Sequence, residues 1–374
     1  MQLNDGYLMT NIVSTERSLK YISFFRWFFF TYIVVYHAQY ALILNGDIRS
    51  FIYKYLTHIQ LVTDCFFVIS GFLLSKHFLS ETSFLIYANK RFWSLFPTCL
   101  LFWICFELFS SVLNMHVDIV RGYKDIFGLN VFGVPWYHND MNFTWFCYAL
   151  FWANVLFFAL FKLKKYFLIP CFCIICFSCY TVVSNFQHHL LIVSQPYSHL
   201  SLSVGTYRAL FACGMGIVCG LLSAYCKKNP IKQILNGWVV SFIEISQILC
   251  FAGALIYLSK SSIYVVGIIN FSILLCCLSQ ENGVLYKILN QSVFHLGAKW
   301  LLGAYIFSAI ALLIMREVSK KNPFFIQHGL ITLLLSLILS VLLGWIVFMI
   351  ISNFEKMRQL IICQIMLSYR RLKK

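Results

Sequence analysis

The chain has 374 residues, of which 60% are hydrophobic, 18% aromatic and only 11% charged, whereas soluble domains carry about a quarter charged residues. That balance excludes a soluble enzyme or binding module and describes a polytopic membrane protein. The net charge of +16 does not indicate a nucleic-acid partner, because the basic residues sit in short segments between apolar runs, where they set topology instead of forming one patch.

Apolar runs near 20 residues long are what a roughly 30 Å hydrocarbon core requires. They predict an all-α helix bundle of ten membrane spans, at about 21–44, 59–79, 92–113, 144–161, 166–184, 206–225, 236–258, 262–279, 300–315 and 325–352. The first 19 residues are polar, and the run that follows is too long and too aromatic for a cleaved secretory signal. One transmembrane domain is therefore expected over 1–352, with a short basic tail over 353–374. Lys76, Lys90, Arg91, Lys162, Lys164, Lys165, Lys227, Lys228, Lys232 and the basic tail share one side. The positive-inside bias makes that side, and both termini, cytoplasmic. The turn over 316–324 goes against the bias, because its basic residues fall outside.

The first span contains FRWFFFTYIVVYHAQY, Phe25 to Tyr40, an apolar run interrupted by Arg26 and His37. Eleven residues of helix bring the two side chains back to within about 20° of one face, roughly 16 Å apart along the axis. Ionisable groups are costly in hydrocarbon, so each is a candidate functional residue. Two plainer readings stand beside that one: a histidine bonded to a neighbouring carbonyl, and an arginine snorkelling to the headgroups. Asp64 lies about five residues into the second span. Counted from the span ends it matches His37 in depth, so a His–Asp hydrogen bond that fixes the tautomer of a general base is expected.

The second span continues as TDCFFVISGFLL, Thr63 to Leu74. With the Arg26 to His37 spacing, it resembles the acyltransferase 3 family of integral membrane enzymes, which move acyl groups, most often acetyl, onto hydroxyls of surface carbohydrates. Four later stretches are similar in the right order: Lys90-Arg91 followed by Pro97, TWFCYALFWANVLF from Thr144, Arg208 with Phe211, Gly214 and Gly216, and LGAKWLLGAYIF from Leu296. The likeness runs from about residue 20 to 310. Departures from the family pattern are Ser23 three residues before the arginine, Ser94 before Pro97, and Ser308 where a histidine often stands.

The resemblance implies an O-acetyltransferase of the standalone branch, in a bacterial cytoplasmic membrane. Its acyl donor would be acetyl-CoA, and its acceptor a glycan such as a lipid-linked O-antigen or capsule precursor. His37 is expected as the base and Asp64 as its orienting partner. Arg26, Arg91 and Lys90 are expected at the donor's phosphates, which suit the fixed fork of a guanidinium. Ser70 and Gly71 read as helix packing that shapes the donor passage, more than as a nucleophile, since a covalent serine needs an adjacent base. Trp145 and Arg208 match the family and remain chemically ambiguous, and Trp145 also suits an interfacial anchor.

No metal is expected. Cys171, Cys173, Cys176 and Cys179 follow one another along one predicted helix without the paired knuckles of a zinc site. The 114–143 connection, with Trp136, Tyr137, His138, Asn139 and Asp140, reads equally as a sugar-binding loop or as an ordinary solvated one. A transporter or polysaccharide exporter is the rival reading, since intramembrane Arg and His also line transport pathways. Neither an internal repeat nor matched broken helices supports it.

Overall fold

The computed structural model describes residues 19–42, 44, 46–56, 58–78, 83–112, 144–163, 166–184, 202–228, 237–257 and 261–372, with side chains up to residue 360 except that of Lys228. Within these residues the chain is helical: α1 (Lys20–Ala41), α2 (Gly46–Tyr55), α3 (Ile59–His77), α4 (Phe84–Val112), α5 (Trp145–Phe161), α6 (Leu168–Ser184), α7 (Val204–Lys228), α8 (Gly237–Tyr257), α9 (Ser261–Leu278), α10 (Val284–Leu289), a 3-10 turn (Ser292–His295), α11 (Leu301–Lys321), α12 (Pro323–Gln327) and α13 (Gly329–Leu372). Seven of them, α3, α4, α7, α8, α9, α11 and α13, are long and apolar enough to cross a membrane. The shorter α5 and α6 are apolar as well. The fold is an all-α bundle of the multi-pass membrane kind, and each of the ten expected spans meets a helix. The expected loop over 114–143, with Trp136 to Asp140, and the 185–201 part of the expected 185–205 loop, with the histidines at 188, 189 and 199, lie outside the described residues.

Helix α3 is the axis of the bundle, packing on α1, α5, α7 and α9. Its closest partner is α7, and small residues set the approach. A methyl group on Gly71 would collide with the carbonyl of Cys213, one on Gly216 with the carbonyl of Val68, and one on Gly220 with the Ser75 side chain. Without a hydrophobic drive between helices in lipid, such close backbone contact is what holds them together. On the other side α11 packs on α1, α4 and α13.

Polar contacts gather the basic residues at one end of the bundle. The Lys20 amide donates to Asn290 Oδ1 (3.2 Å), Lys227 pairs with Glu281 (3.0 Å), and Lys76 lies within electrostatic reach of both Lys227 and Glu281. This is the basic end, and Ala41 and Ile59 mark the far end.

Three expected boundaries move. Helix α4 begins at Phe84, so Lys90 and Arg91 lie inside it, and Pro97 is tolerated within the same helix although its ring deprives the Trp93 carbonyl of the usual donor. Helix α13 runs without a break through the segment expected as a tail; at 44 residues it is about 66 Å long, twice what a bilayer core requires. Helix α11 starts about 10 Å along α1, where Trp27 Nε1 donates to the Leu296 carbonyl (3.0 Å) just ahead of it, and it runs to Lys321, past the expected end at 315. Its last turn therefore projects beyond the far end of α1. There Glu317 pairs with Arg316 (3.3 Å) and Lys320 (2.8 Å) through one carboxylate, which offsets one of the three basic charges in the turn that goes against the charge bias.

Candidate functional site

On α1, the face opposite Arg26 and His37 is the one turned outward: Phe28 and Thr31 are exposed, Phe28 at 43%. The row running through Arg26 and His37 also holds Ile22, Phe30, Ile33 and Val34, all buried. Both ionisable residues thus point into the bundle. Between these buried neighbours Arg26 and His37 keep partial accessibility, and Tyr40, one turn beyond His37 on the same row, is exposed.

Helix α3 carries a second set of such residues. From Leu61 to Ser75 every residue is buried except Phe66, Ser70 and Leu73. These three recur at four- and three-residue intervals and so form one line along the helix, which His77 continues, exposed, at the basic end. An accessible line on an otherwise buried central helix gives a candidate passage that rises from the basic end to the level of Phe66.

A polar knot lies halfway up this passage. Arg91 Nη2 of α4 donates to Ser70 Oγ (2.8 Å). Asn154 Nδ2 of α5 also donates to Ser70 Oγ (3.1 Å) and to the carbonyl of Leu150 (2.6 Å). Arg91 Nε is enclosed and has no hydrogen-bond partner among the described residues. The guanidinium therefore retains both its charge and a free donor, which suits an anion. Lys90 is exposed near the basic end and takes no part in this knot. With Lys76 and Arg91 it places positive charge around His77.

The relative depths follow from one ring contact. Phe29 of α1 meets Phe66 of α3 edge to face, with ring centroids 5.6 Å apart. From that level, helical rise puts Arg26 about 4.5 Å and Ser70 about 6 Å toward the basic end, and puts His37 about 12 Å and Asp64 about 3 Å toward the far end. Arg26 and the Arg91–Ser70 knot share a depth. His37 and Asp64 are offset by about 9 Å.

The expected His37–Asp64 hydrogen bond is accordingly not made. Asp64 is fully buried on the face of α3 away from the passage, and both its oxygens are occupied. Arg208 of α7 binds it with two parallel bonds, Nε to Oδ2 and Nη2 to Oδ1, each 2.9 Å. Tyr264 of α9 donates a short hydrogen bond to Oδ2. Arg208 Nη2 also reaches the carbonyl of Gln60 (3.0 Å), and its guanidinium carbon lies 5.7 Å from the Trp145 ring. Trp145 packs edge to face on Phe67 at 5.9 Å, so it borders this cluster. A bidentate guanidinium satisfies a carboxylate more completely than one imidazole N–H. Asp64 and Arg208 thus belong to a structural lock between α3, α7 and α9. Counting depth from span ends misplaced Asp64 because the helices do not begin at one level.

Ser70 is bonded to Arg91 and Asn154, neither of which is the base a nucleophile needs. Gly71, one residue on, faces Cys213 of α7 and acts in packing. Ser308, at the position where a histidine often stands in the resembling family, is buried and donates to the Tyr305 carbonyl (2.6 Å). Cys171, Cys173, Cys176 and Cys179 range from buried to exposed around α6, and among the described residues no three His, Cys, Asp or Glu side chains gather as a metal site would require.

Asn154, Tyr264 and Tyr305 escaped notice in the sequence. The first two are polar residues within apolar runs, a signal that was present. Compared with known proteins, the chain matches no family model, no curated protein and no solved structure.

Proposed function

We propose that this protein is a membrane O-acyltransferase that takes an acyl group, acetyl in the first instance, from acyl-CoA at the basic, cytoplasmic end and delivers it to a hydroxyl of a surface carbohydrate at the far end. The observation that carries this reading is the arrangement on α1: Arg26 and His37 face the interior from one row, and the Arg91 guanidinium lies at the depth of Arg26. A cation pair low in the bundle and an imidazole high in it supply the two things the reaction needs, a seat for phosphates and a base.

The acceptor hydroxyl attacks the thioester carbonyl as an imidazole nitrogen of His37 takes its proton. The C–O bond forms, the C–S bond breaks, and the thiolate leaves with a proton as free CoA. Arg26 and Arg91 hold the donor by its phosphates or by the polar part of its arm. The Asp64–Arg208–Tyr264 lock keeps α3 fixed while α1 and α4 present these groups.

Membranes containing the protein, supplied with acetyl-labelled acetyl-CoA and the glycan of the producing cells, are expected to incorporate label into the glycan. His37→Ala membranes with the same amount of folded protein are expected not to. Movement of glycan without label would establish the exporter reading instead.

A further inference from the structure

The interior space is divided. On α3 the accessible line from His77 through Leu73 and Ser70 ends at Phe66, since the next residues of the same line, Thr63 and Val62, are 5% and 0% exposed. On α1 the same break falls between Arg26 and His37, where Phe30, Ile33 and Val34 are buried. At this level three rings from three helices touch pairwise: Phe66 with Phe146 of α5 (5.7 Å), Phe66 with Tyr305 of α11 (6.3 Å), and Phe146 with Tyr305 (5.6 Å). Their planes are inclined to one another by 70°, 43° and 69°, so they interlock by their edges instead of stacking. The layer stands about 6 Å above Ser70 and about 12 Å below His37.

From this we propose that Phe66, Phe146 and Tyr305 form an acyl filter, a closed aromatic layer that the thioester end of the donor must part to reach His37, and whose narrowness restricts the protein to slim, unbranched acyl groups. The inference rests on the acyl-transfer reading and adds to it the class of donor accepted. Phe66 is the ring that opens, because it alone of the three retains accessible surface while Phe146 and Tyr305 are 5% and 6% exposed. Swinging one ring about its χ1 and χ2 opens a slot wide enough for a methylene chain. A planar aromatic acyl group needs a second ring to move as well, and that ring is held by packing. The same layer keeps water and ions from crossing between the basic passage and the far end when no donor is present.

The test uses full-length wild type, Phe66→Ala and Phe146→Leu, each produced in the native host lacking its own copy of the gene, so that the host membranes supply the acceptor. Labelled acetyl-CoA and benzoyl-CoA are offered to membranes adjusted to equal amounts of folded protein. Wild type is expected to transfer acetyl and to transfer benzoyl at least about tenfold more slowly, within the range a shaped apolar pocket achieves. Phe66→Ala is expected to raise the benzoyl-to-acetyl ratio by about tenfold, with a smaller rise for Phe146→Leu. Phe146→Leu keeps the proposal testable if Phe66→Ala fails to accumulate. Transfer of both donors at similar rates by wild type would overturn the filter, as would an unchanged ratio in a variant that folds. Labelling of the glycan by neither donor in wild-type membranes would instead remove the acyl-transfer reading on which the filter stands.

Discussion

Two groups of charges lie inside this bundle, and they behave in opposite ways. Asp64 and Arg208 are 0% and 1% exposed, locked to each other by two 2.9 Å bonds and to Tyr264 by a third contact. Arg26, His37 and Arg91 all retain accessible surface, and Arg91 has a donor with no hydrogen-bond partner among the described residues. An ionisable residue within a membrane is expensive in either case. In the first group the expense is offset internally, by charge pairing and aligned hydrogen bonds, and no capacity remains for a ligand. In the second group Arg91 keeps one donor without a hydrogen-bond partner among the described residues, and such a donor persists where a substrate supplies the partner. Intramembrane charge is therefore a sign of function only when its valence is unspent.

The sharpest way to break the comparison is at His37. His37→Ala is expected to lower glycan acylation by about 100-fold or more, the scale of a lost general base, while thermal unfolding in detergent stays close to wild type. Near-normal acylation would put His37 in the same inert class as Asp64.

Next in size is the lock. Arg208→Ala leaves the Asp64 carboxylate buried without its main partner, and is expected to destabilise the protein by about 3–5 kcal/mol, read as a large fall in unfolding temperature and in accumulated protein. The double substitution Asp64→Leu with Arg208→Met removes both charges and is expected to recover most of that loss, since apolar replacement of a buried pair is often near neutral. If the double variant folds but loses acylation selectively, Asp64 has a part in the chemistry that its geometry does not suggest.

Much of this was legible in the sequence. Hydrophobic run length located the helices to within a few residues for α1, α3, α5 and α9, because length and apolarity are what the bilayer itself demands. The shared face of Arg26 and His37 was also readable, since it depends only on the period of one helix. Depth between helices was not. The match of His37 to Asp64 assumed that neighbouring spans start level, whereas helix offsets are set by packing, here by Phe29 against Phe66 and by Gly71 against Cys213. The start of α4 was misread for a related reason: Lys90 and Arg91 look like a loop cluster in sequence, yet a helix can begin well inside the aqueous layer and carry its basic residues inward. The side-chain partners of Arg208 and Ser70 are separated from them by 21 to 144 residues, and no local pattern announces such pairs.

A smaller effect tests the packing on which the lock depends. Gly71→Ala sets a methyl group against the Cys213 carbonyl, a backbone atom that cannot swing aside. Overpacking of this kind typically costs about 1–3 kcal/mol, so a moderate fall in unfolding temperature is expected. Gly46→Ala is the control, because a methyl group there meets nothing within 4 Å and should leave the unfolding temperature unchanged.

The smallest effect discriminates most finely between spent and unspent charge. Arg91→Lys keeps a cation at the same depth but removes the planar fork, so one ammonium must serve both Ser70 Oγ and the incoming anion. A hydrogen bond to a charged group is worth about 1.5–3 kcal/mol, and losing part of one is expected to raise KM for acetyl-CoA by about tenfold, with kcat little changed because His37 lies far above. Ser70→Ala should act in the opposite sense: it releases the guanidinium from its Ser70 partner and leaves Asn154 bonded to Leu150, so KM should stay the same or fall. Were Ser70→Ala to raise KM as much as Arg91→Lys, the arginine's direction would matter more than its free valence, and Arg91 would be held ready by Ser70 as firmly as Arg208 is held by Asp64.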